Sequence, residues 1–344
     1  MIRIQKEKHI ELIVDVLTKI GLTSEQAQMA SEIMNYADVR GIDSHGLILL
    51  NTYIDRINKK IIRKNPNYKW DKKSEIISVL DGDHGMGHFM GHLAMREAIK
   101  IAKEKSLGLV LVKNATHYGA SGYYTELAAK HKMIGFTTTN TMPLMAPTGG
   151  AERILGNNPI SFSIPRQNED PVILDIASSV VAAGKLILVN QKNEIIPEGW
   201  ALDKEGNPTT DPNEGYEGGG TLLPIANHKG YGLALIMDIL AGVLTGSGYG
   251  KNVGHSDIGF VMMAMDVDQI MPKEIFNKRL DSLISMVKST KKGNENNTIY
   301  LPGEIEYLKK KEREQDGILI NENLYKEIEK LTLDLEISID NYFS

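Results

Sequence analysis

Apolar residues recur at helical spacing near the start of the chain, where Leu12, Ile13, Val16, Leu17 and Ile20 share one face and predict a first helix. Thr23-Ser24-Glu25-Gln26 has the form of a capping box, in which hydroxyl and amide side chains satisfy each other's backbone N–H groups. It predicts a second helix running to about Val39 and stopping at Arg40-Gly41. A turn-like cluster, Ile42-Asp43-Ser44-His45-Gly46, precedes a third helix through Leu47, Leu50, Tyr53, Ile54 and Ile57, so His45 stands at a helix start. From Ser74 the pattern changes to short apolar runs at 75–81, 107–113, 133–140, 160–165 and 172–176, separated by helical stretches. That alternation predicts an α/β fold with a largely buried sheet.

Beyond residue 185 periodicity fades. Ile196-Pro197-Glu198-Gly199-Trp200, Asn207-Pro208-Thr209-Thr210-Asp211-Pro212 and Gly218-Gly219-Gly220 predict a long loop region over 186–228, and loops of that length in compact proteins carry function. Lys229-Gly230-Tyr231-Gly232 then opens a helix expected to turn Leu233, Ile236, Met237, Leu240 and Leu244 inward. A strand at 260–267 precedes a helix bearing Ile275, Phe276, Leu280, Leu283, Ile284 and Val287, and two charged helices follow Leu301-Pro302-Gly303-Glu304.

With 344 residues, 42% of them hydrophobic, the chain can bury a core without staples. It has no cysteine, which removes disulfides, thiolate catalysis and thiolate zinc sites. A net charge of −5 with lysines interspersed among acids leaves no broad basic face for nucleic acid. The first residues lack the apolar core of a signal peptide, and the longest apolar segment, around Leu233–Leu244, is interrupted by Asp238 and too short to span a bilayer. The expectation is a cytoplasmic protein without membrane contact.

Candidate chemistry gathers at His117-Tyr118-Gly119-Ala120-Ser121, between a buried strand and a helix. At such a junction free backbone N–H groups and the positive helix end can hold an anion while an imidazole faces it, although a locally hydrogen-bonded histidine is the plainer reading. Lys229-Gly230-Tyr231-Gly232 suits a phosphate or carboxylate on the same grounds, or is an ordinary helix entry. Gly85-Met86-Gly87 lacks the context of the dinucleotide fingerprint, so a dinucleotide would have to sit on another fold. His84, His88 and His92 recur every four residues, as metal ligands on a helix would. Glycines 85, 87 and 91 weaken that helix and the metalloprotease glutamate is missing, so no metal site is expected.

Read together, these residues resemble the malate/L-lactate dehydrogenase family of the type that includes L-sulfolactate dehydrogenase, ureidoglycolate dehydrogenase and diketogulonate reductase. The matching blocks span nearly the whole chain: Ala37–Gly41 with Ser44-His45-Gly46 and Tyr53, Asp81-Gly82, Asn114–Tyr124, Asn140–Pro143, Leu155–Pro159 and Asp175–Ser179, then Gly184-Lys185, Lys229–Leu233 and Leu301–Glu304. The resemblance implies a mixed-sheet α/β fold of the L-sulfolactate dehydrogenase kind, distinct from Rossmann. In it a helical part, 1–73, packs with C-terminal helices of 303–344 beside an α/β cofactor-binding domain over 74–302. It implies an NAD(P)-dependent oxidoreductase, NAD being preferred to NADP, that interconverts a small (S)-2-hydroxy acid of malate or lactate type and its 2-oxo acid. Ureidoglycolate or sulfolactate dehydrogenation, or a cofactor binder that has lost turnover, are the alternatives. The partner expected is a second copy, with the active site near the subunit contact.

By the same resemblance the cofactor lies along His117, Tyr118, Gly119, Ala120 and Ser121, with Thr141, Asp175, Ile176, Ala177, His228, Lys229, Pro302, Gly303 and Glu304. Removing a hydroxyl proton while hydride leaves the carbinol carbon calls for a neutral imidazole, and His117 and His45 are the candidates, with Ser44 as their hydrogen-bond partner. Tyr53, Lys185 and position 49 would contact substrate. Leu49 stands where relatives carry a carboxylate-gripping arginine, so another cation such as Arg40, Arg56 or Lys185 substitutes, or the substrate lacks that carboxylate, or activity is weakened or lost. Lys185 stands where one imine-reducing relative has an aspartate relay, which argues against cyclic-imine reduction.

Overall fold

The apolar runs become strands of one seven-stranded sheet in the spatial order Lys69–Lys72, Ile77–Asp81, Leu107–Ala115, Ile258–Asp266, Met133–Thr139, Ile160–Ile164 and Val172–Ile176. The protein is described by a computed structural model covering residues 2–294 and 296–343, apart from the side chain of Gln191. Only Ile77–Asp81 and Leu107–Ala115 run parallel, and every other neighbouring pair is antiparallel, so the sheet is mixed. The parallel pair is bridged by the helix Gly87–Lys105, a crossover of the length that parallel strands require. Val110, Val112, Phe260, Met262 and Ala264 are buried at the sheet's centre with Ala94, Met95, Ala98 and Ala102 of that helix. The edge strand Lys-Trp-Asp-Lys is exposed at every position, so no alternation marks it in the sequence, and it starts the sheet before residue 74.

A second core joins the two ends of the chain. Leu12, Ile13, Val16 and Leu17 of the helix Lys6–Lys19 are fully buried, as their spacing predicts, against residues of the helix Ser24–Val39 and of the C-terminal segment, including Ile318, Ile320 and Ile328. Strand Ile2–Ile4 pairs antiparallel with Ile318–Ile320, tying the termini together. The capping box forms: Gln26 N donates to the Thr23 hydroxyl and Thr23 N to the Gln26 amide oxygen.

Two sequence expectations are overturned. The stretch 186–228 is not one long loop, because Ala201–Leu202, Pro208–Thr209 and Thr221–Leu222 form a small three-stranded sheet. Leu186, Ile196, Ala201 and Leu222 bury themselves with Met145, Leu155 and Ala234 in a core of their own. Strands of two residues are too short to show alternation. The helix His228–Asp238 is also rotated from the expected setting: Met237 is buried as expected, but Gly230, Ala234 and Asp238 share the inner face with it, while Leu233 is 40% exposed, Ile236 50% and, beyond the helix, Leu244 57%. The first turn of the inner face is a glycine because Gly230 lies against the backbone of Ile225, where a Cβ would come within 2.2 Å of a carbonyl oxygen. Leu233 and Ile236 are left outside. The helix Lys273–Ser289 likewise has no buried residue and exposes Ile275, Leu283, Met286 and Val287. Among the described residues no helix is long and apolar enough to cross a membrane.

Candidate active site

Ser44 and His45 are carried by a turn that a buried carboxylate clamps from below. Asp38, in the last turn of the helix Ser24–Val39, accepts the Leu47 N–H at 2.7 Å and meets His9 Nε2 at 2.7 Å. Gly46 lies over that carboxylate so closely that a Cβ there would stand 1.8 Å from Oδ1. From the other side Arg313 donates to the Asp38 carbonyl oxygen and the Asp43 carboxylate.

The helix Leu50–Asn58 brings the next member. Tyr53 is 1% exposed, and its phenolic oxygen lies 2.8 Å from His117 Nδ1. His117 itself opens the turn between the strand Leu107–Ala115 and the helix Ser121–Lys130, as its sequence position predicts. Its ring stacks over that of His45, with centroids 5.6 Å apart and planes 27° from parallel. The Ser44 hydroxyl is 2.9 Å from His45 Nδ1. Two imidazoles separated by 72 positions in the chain thus share one wall, each with Nδ1 engaged by a hydroxyl and Nε2 left without a protein partner among the described residues.

Burial drives the basicity of these rings down. His117 is held well below the ordinary imidazole range by burial, then by His45, His88, Arg56 and His255 nearby, and His45 is lowered by burial alone. Burial also raises the Tyr53 hydroxyl well above its usual value, so it stays a phenol that can accept from Nδ1–H and fix the tautomer with Nε2 unprotonated.

Beneath them lies His88, which sequence spacing suggested only as a metal ligand. It is fully buried, packs edge-on to Tyr53 at 4.9 Å, and neither ring nitrogen has a hydrogen-bond partner among the described residues. Burial, with His45 adding to it, pushes its pKa down to about 3. An imidazole whose folded pKa lies below its unfolded one stabilises the fold fully above pH 6.5, and that contribution drains away as pH falls toward the folded pKa. At pH 5 the His88 term has fallen by about 2 kcal/mol, at 1.36 kcal/mol per pH unit below 6.5. His88→Leu, which fills the space without a titrating group, is therefore expected to flatten the loss of stability between pH 7 and pH 5. Urea unfolding at the two pH values measures this, and an unchanged slope would contradict it. His84 and His92 go elsewhere, to the Ser256 carbonyl oxygen and the Tyr123 hydroxyl, and no group of three metal-binding side chains assembles among the described residues.

Ser44, His45 and His117 line a cavity of about 950 Å³, within the range that holds a cofactor with its substrate, while Tyr53 and His88 stand behind that wall. Around the imidazoles its wall includes Ser44, Leu49, Arg56 and His255. Elsewhere it is lined by Tyr118, Gly119, Ala120, Ser121, Thr141, Asp175, Ile176, Ala177, Pro302 and Gly303, all placed at the cofactor by the sequence resemblance. The Asp175 carboxylate accepts the Gly122 N–H at 2.7 Å, so an acid of the protein already occupies part of the helix N-terminus that the sequence offered to a ligand anion. Burial, with Glu306 adding to it, raises the Asp175 pKa to about 6. Arg40, which also lines the cavity, is neutralised by a buried ion pair with Glu126 at 2.5 Å and stacks on Tyr36.

Five expected site residues fall outside this lining, Tyr53 among them, which reaches the site only through its bond to His117. His228 and Lys229 are exposed at the start of their helix. Lys185 is exposed and holds its ammonium over the Trp200 ring at 5.0 Å. Glu304 accepts the Leu301 N–H and pairs with Lys288, closing its own turn. Sequence reasoning missed His255, Tyr36 and Glu306, which have no motif around them and reach the cavity only through tertiary packing.

Known proteins resemble this chain over nearly its whole length. The family model described as malate/L-lactate dehydrogenase matches residues 4–329. A malate dehydrogenase of Pyrococcus horikoshii is 39% identical over 342 residues, covering 96% of this chain and 94% of that protein. An L-sulfolactate dehydrogenase of Methanocaldococcus jannaschii is 38% identical over 346 residues, covering 98% and 99%. The structure of sulfolactate dehydrogenase from that organism superposes with a TM-score of 0.92 over 99% of each chain. An NAD-dependent ureidoglycolate dehydrogenase of Escherichia coli K12 is 31% identical over 332 residues, covering 94% of each. In sequence and in backbone alike, this chain belongs to the malate/L-lactate dehydrogenase family and is a dehydrogenase.

Proposed function

We propose that the protein oxidises a small (S)-2-hydroxy acid of the malate or lactate type to the 2-oxo acid, and runs the reverse reduction, with a nicotinamide cofactor. The observation that carries this reading is the convergence of His117 and His45 on one wall of a cavity large enough for cofactor and substrate, with Tyr53 holding His117 from behind. Its lining fits such a cofactor: apolar surfaces of Leu144, Ile173, Ile176 and Pro302 suit flat rings, and the Asp175 carboxylate suits ribose hydroxyls. When bound, the nicotinamide supplies the hydride acceptor or donor.

The protein's own residues handle the proton. His117 Nε2, unprotonated at neutral pH, takes the hydroxyl proton, and Nδ1–H donates to the Tyr53 oxygen so that the ring turns its lone pair to the substrate. His45, held by Ser44, packs against the imidazolium as it forms and orients the substrate oxygen. Near Asp175 the wall also carries Glu306, while Arg40 is already paired, so a ribose hydroxyl is accepted more readily than a 2′-phosphate. This supports NAD over NADP. The apolar side chains exposed on the helices His228–Asp238 and Lys273–Ser289 support a homodimer.

The test is absorbance at 340 nm with a panel of 2-hydroxy and 2-oxo acids and both cofactors. The expected result is turnover of at least one acid pair, with kcat/KM about 10-fold or more higher with NAD than with NADP, the scale of one unfavourable charge contact. Cofactor binding without any turnover would support a binder that has lost its activity.

A further inference from the structure

At the reacting end of the cavity stands a cation, Arg56, that no carboxylate pairs with among the described residues. Arg56 lines the wall with His45, Leu49, His117 and His255, is half-buried, and makes no ion pair or side-chain hydrogen bond among the described residues. Its neighbour Asp55 is taken by Lys59 at 2.8 Å, and Arg40, the other arginine of the lining, is taken by Glu126. Arginine is seldom withdrawn from water without a partner, and a planar guanidinium facing a cavity is shaped to receive a carboxylate through two parallel N–H donors.

Helix geometry places this charge relative to the chemistry. Leu49, Tyr53 and Arg56 follow one another at intervals of four and three residues, so they share one face of the helix Leu50–Asn58 and its entry. Tyr53 stands between them with its hydroxyl on His117. Along the axis Leu49 lies about 6 Å to one side and Arg56 about 4.5 Å to the other, from the rise of 1.5 Å per residue. The reacting centre is thus flanked by one guanidinium and one apolar side chain.

We propose that Arg56 anchors the substrate carboxylate. With Leu49 on the opposite side, the site then selects 2-hydroxy and 2-oxo acids with a single anionic group and an apolar substituent over dicarboxylates. This deepens the dehydrogenase reading and rests on it for the identity of the substrate. One guanidinium matches one anion, and a second carboxylate placed against Leu49 would be desolvated without a partner.

The experiment compares full-length wild type with Arg56→Met, Arg56→Lys and Leu49→Arg. Binding of oxamate, a planar monocarboxylate, to the NADH complex is followed by fluorescence, together with kcat and KM for pyruvate, 2-oxobutyrate and oxaloacetate. Expected results are a 10- to 100-fold rise in the oxamate Kd and in KM for Arg56→Met, with NADH affinity within threefold of wild type, and a smaller rise for Arg56→Lys. Wild type should favour 2-oxobutyrate over oxaloacetate, and Leu49→Arg should move that ratio toward oxaloacetate by 10-fold or more. Should Arg56→Met fail to fold, Arg56→Lys against wild type still decides, since a lysine cannot reproduce the two-donor contact. Oxamate affinity unchanged in the Arg56 variants, no oxamate binding by wild type, or oxaloacetate favoured by wild type would each overturn the proposal. No turnover of any acid alongside Arg56-dependent oxamate binding would instead sink the dehydrogenase reading and leave the anchor standing.

Discussion

Replacing His117 with alanine is expected to lower kcat for hydroxy-acid oxidation by about 10²- to 10⁴-fold, the range a positioned acid–base group contributes. The ring lines the cavity and combines an Nε2 without a protein partner among the described residues, an Nδ1 held by a buried phenol, and a pKa depressed by burial. Tyr53→Phe removes the acceptor that fixes the tautomer and should cost about 10-fold, in line with the effect of partners that orient a functional imidazole. The pH profile distinguishes this from mere disruption. Because the folded pKa lies below 6.5, the base form persists as pH falls through neutrality, so kcat/KM for oxidation should stay level down to about pH 6.5 and decline only below it. Reduction needs the protonated ring and should quicken as the solution is acidified. Steady-state rates from pH 5 to pH 9 in both directions provide the measurement. Near-normal turnover by His117→Ala would move the proton-transfer role to His45, whereas an acid limb above pH 7 would fit neither ring, since burial lowers both.

The second large effect is expected at Gly46. A methyl group there would have to occupy space 1.8 to 2.2 Å from the three carboxyl atoms of Asp38, which is itself buried and bonded to Leu47 N and His9. The carboxylate cannot retreat without releasing a buried N–H and a buried imidazole, each loss worth about 1–3 kcal/mol. Gly46→Ala should therefore destabilise the fold by about 3 kcal/mol, at the upper end of overpacking costs. Since the same turn carries Ser44 and His45, kcat/KM should fall by about 100-fold, the cost of a displacement near 1 Å at a reacting centre. Gly184→Ala serves as control, because an added Cβ there meets nothing within 4 Å. Urea unfolding and kinetics on both variants settle the matter. A Gly46→Ala protein that unfolds like wild type would show that Asp38 does not set the turn.

The fold makes Arg40–Glu126 and His9–Asp38 into paired supports for the site without placing either pair on the reacting atoms. Asp38 and His9 hold the His45 turn, while Arg40, neutralised by Glu126 and stacked on Tyr36, shapes the wall near Asp175. What distinguishes Arg56 from Arg40 is therefore a partner elsewhere in the chain, which no reading of residue types could supply.

Local patterns in the sequence determined the helices at 6–19 and 24–39, every strand of the main sheet but the edge strand Lys69–Lys72, and the two histidine turns, because each depends on periodicity or on capping chemistry confined to a few residues. The motif blocks determined the family. Tertiary structure alone decided the rest. It rotated the helix at His228 so that Leu233 and Ile236 lie outside, because the backbone of Ile225 leaves room only for glycine at position 230, and it folded 186–228 around a core too scattered to show a period. It also left His228, Lys229 and Lys185 outside the cavity and brought His255, His88 and Arg56 against His117. Burial and charge pairing arise between residues remote in the chain, and those long-range contacts set which side chains are neutral, which are matched, and which remain free to meet a substrate.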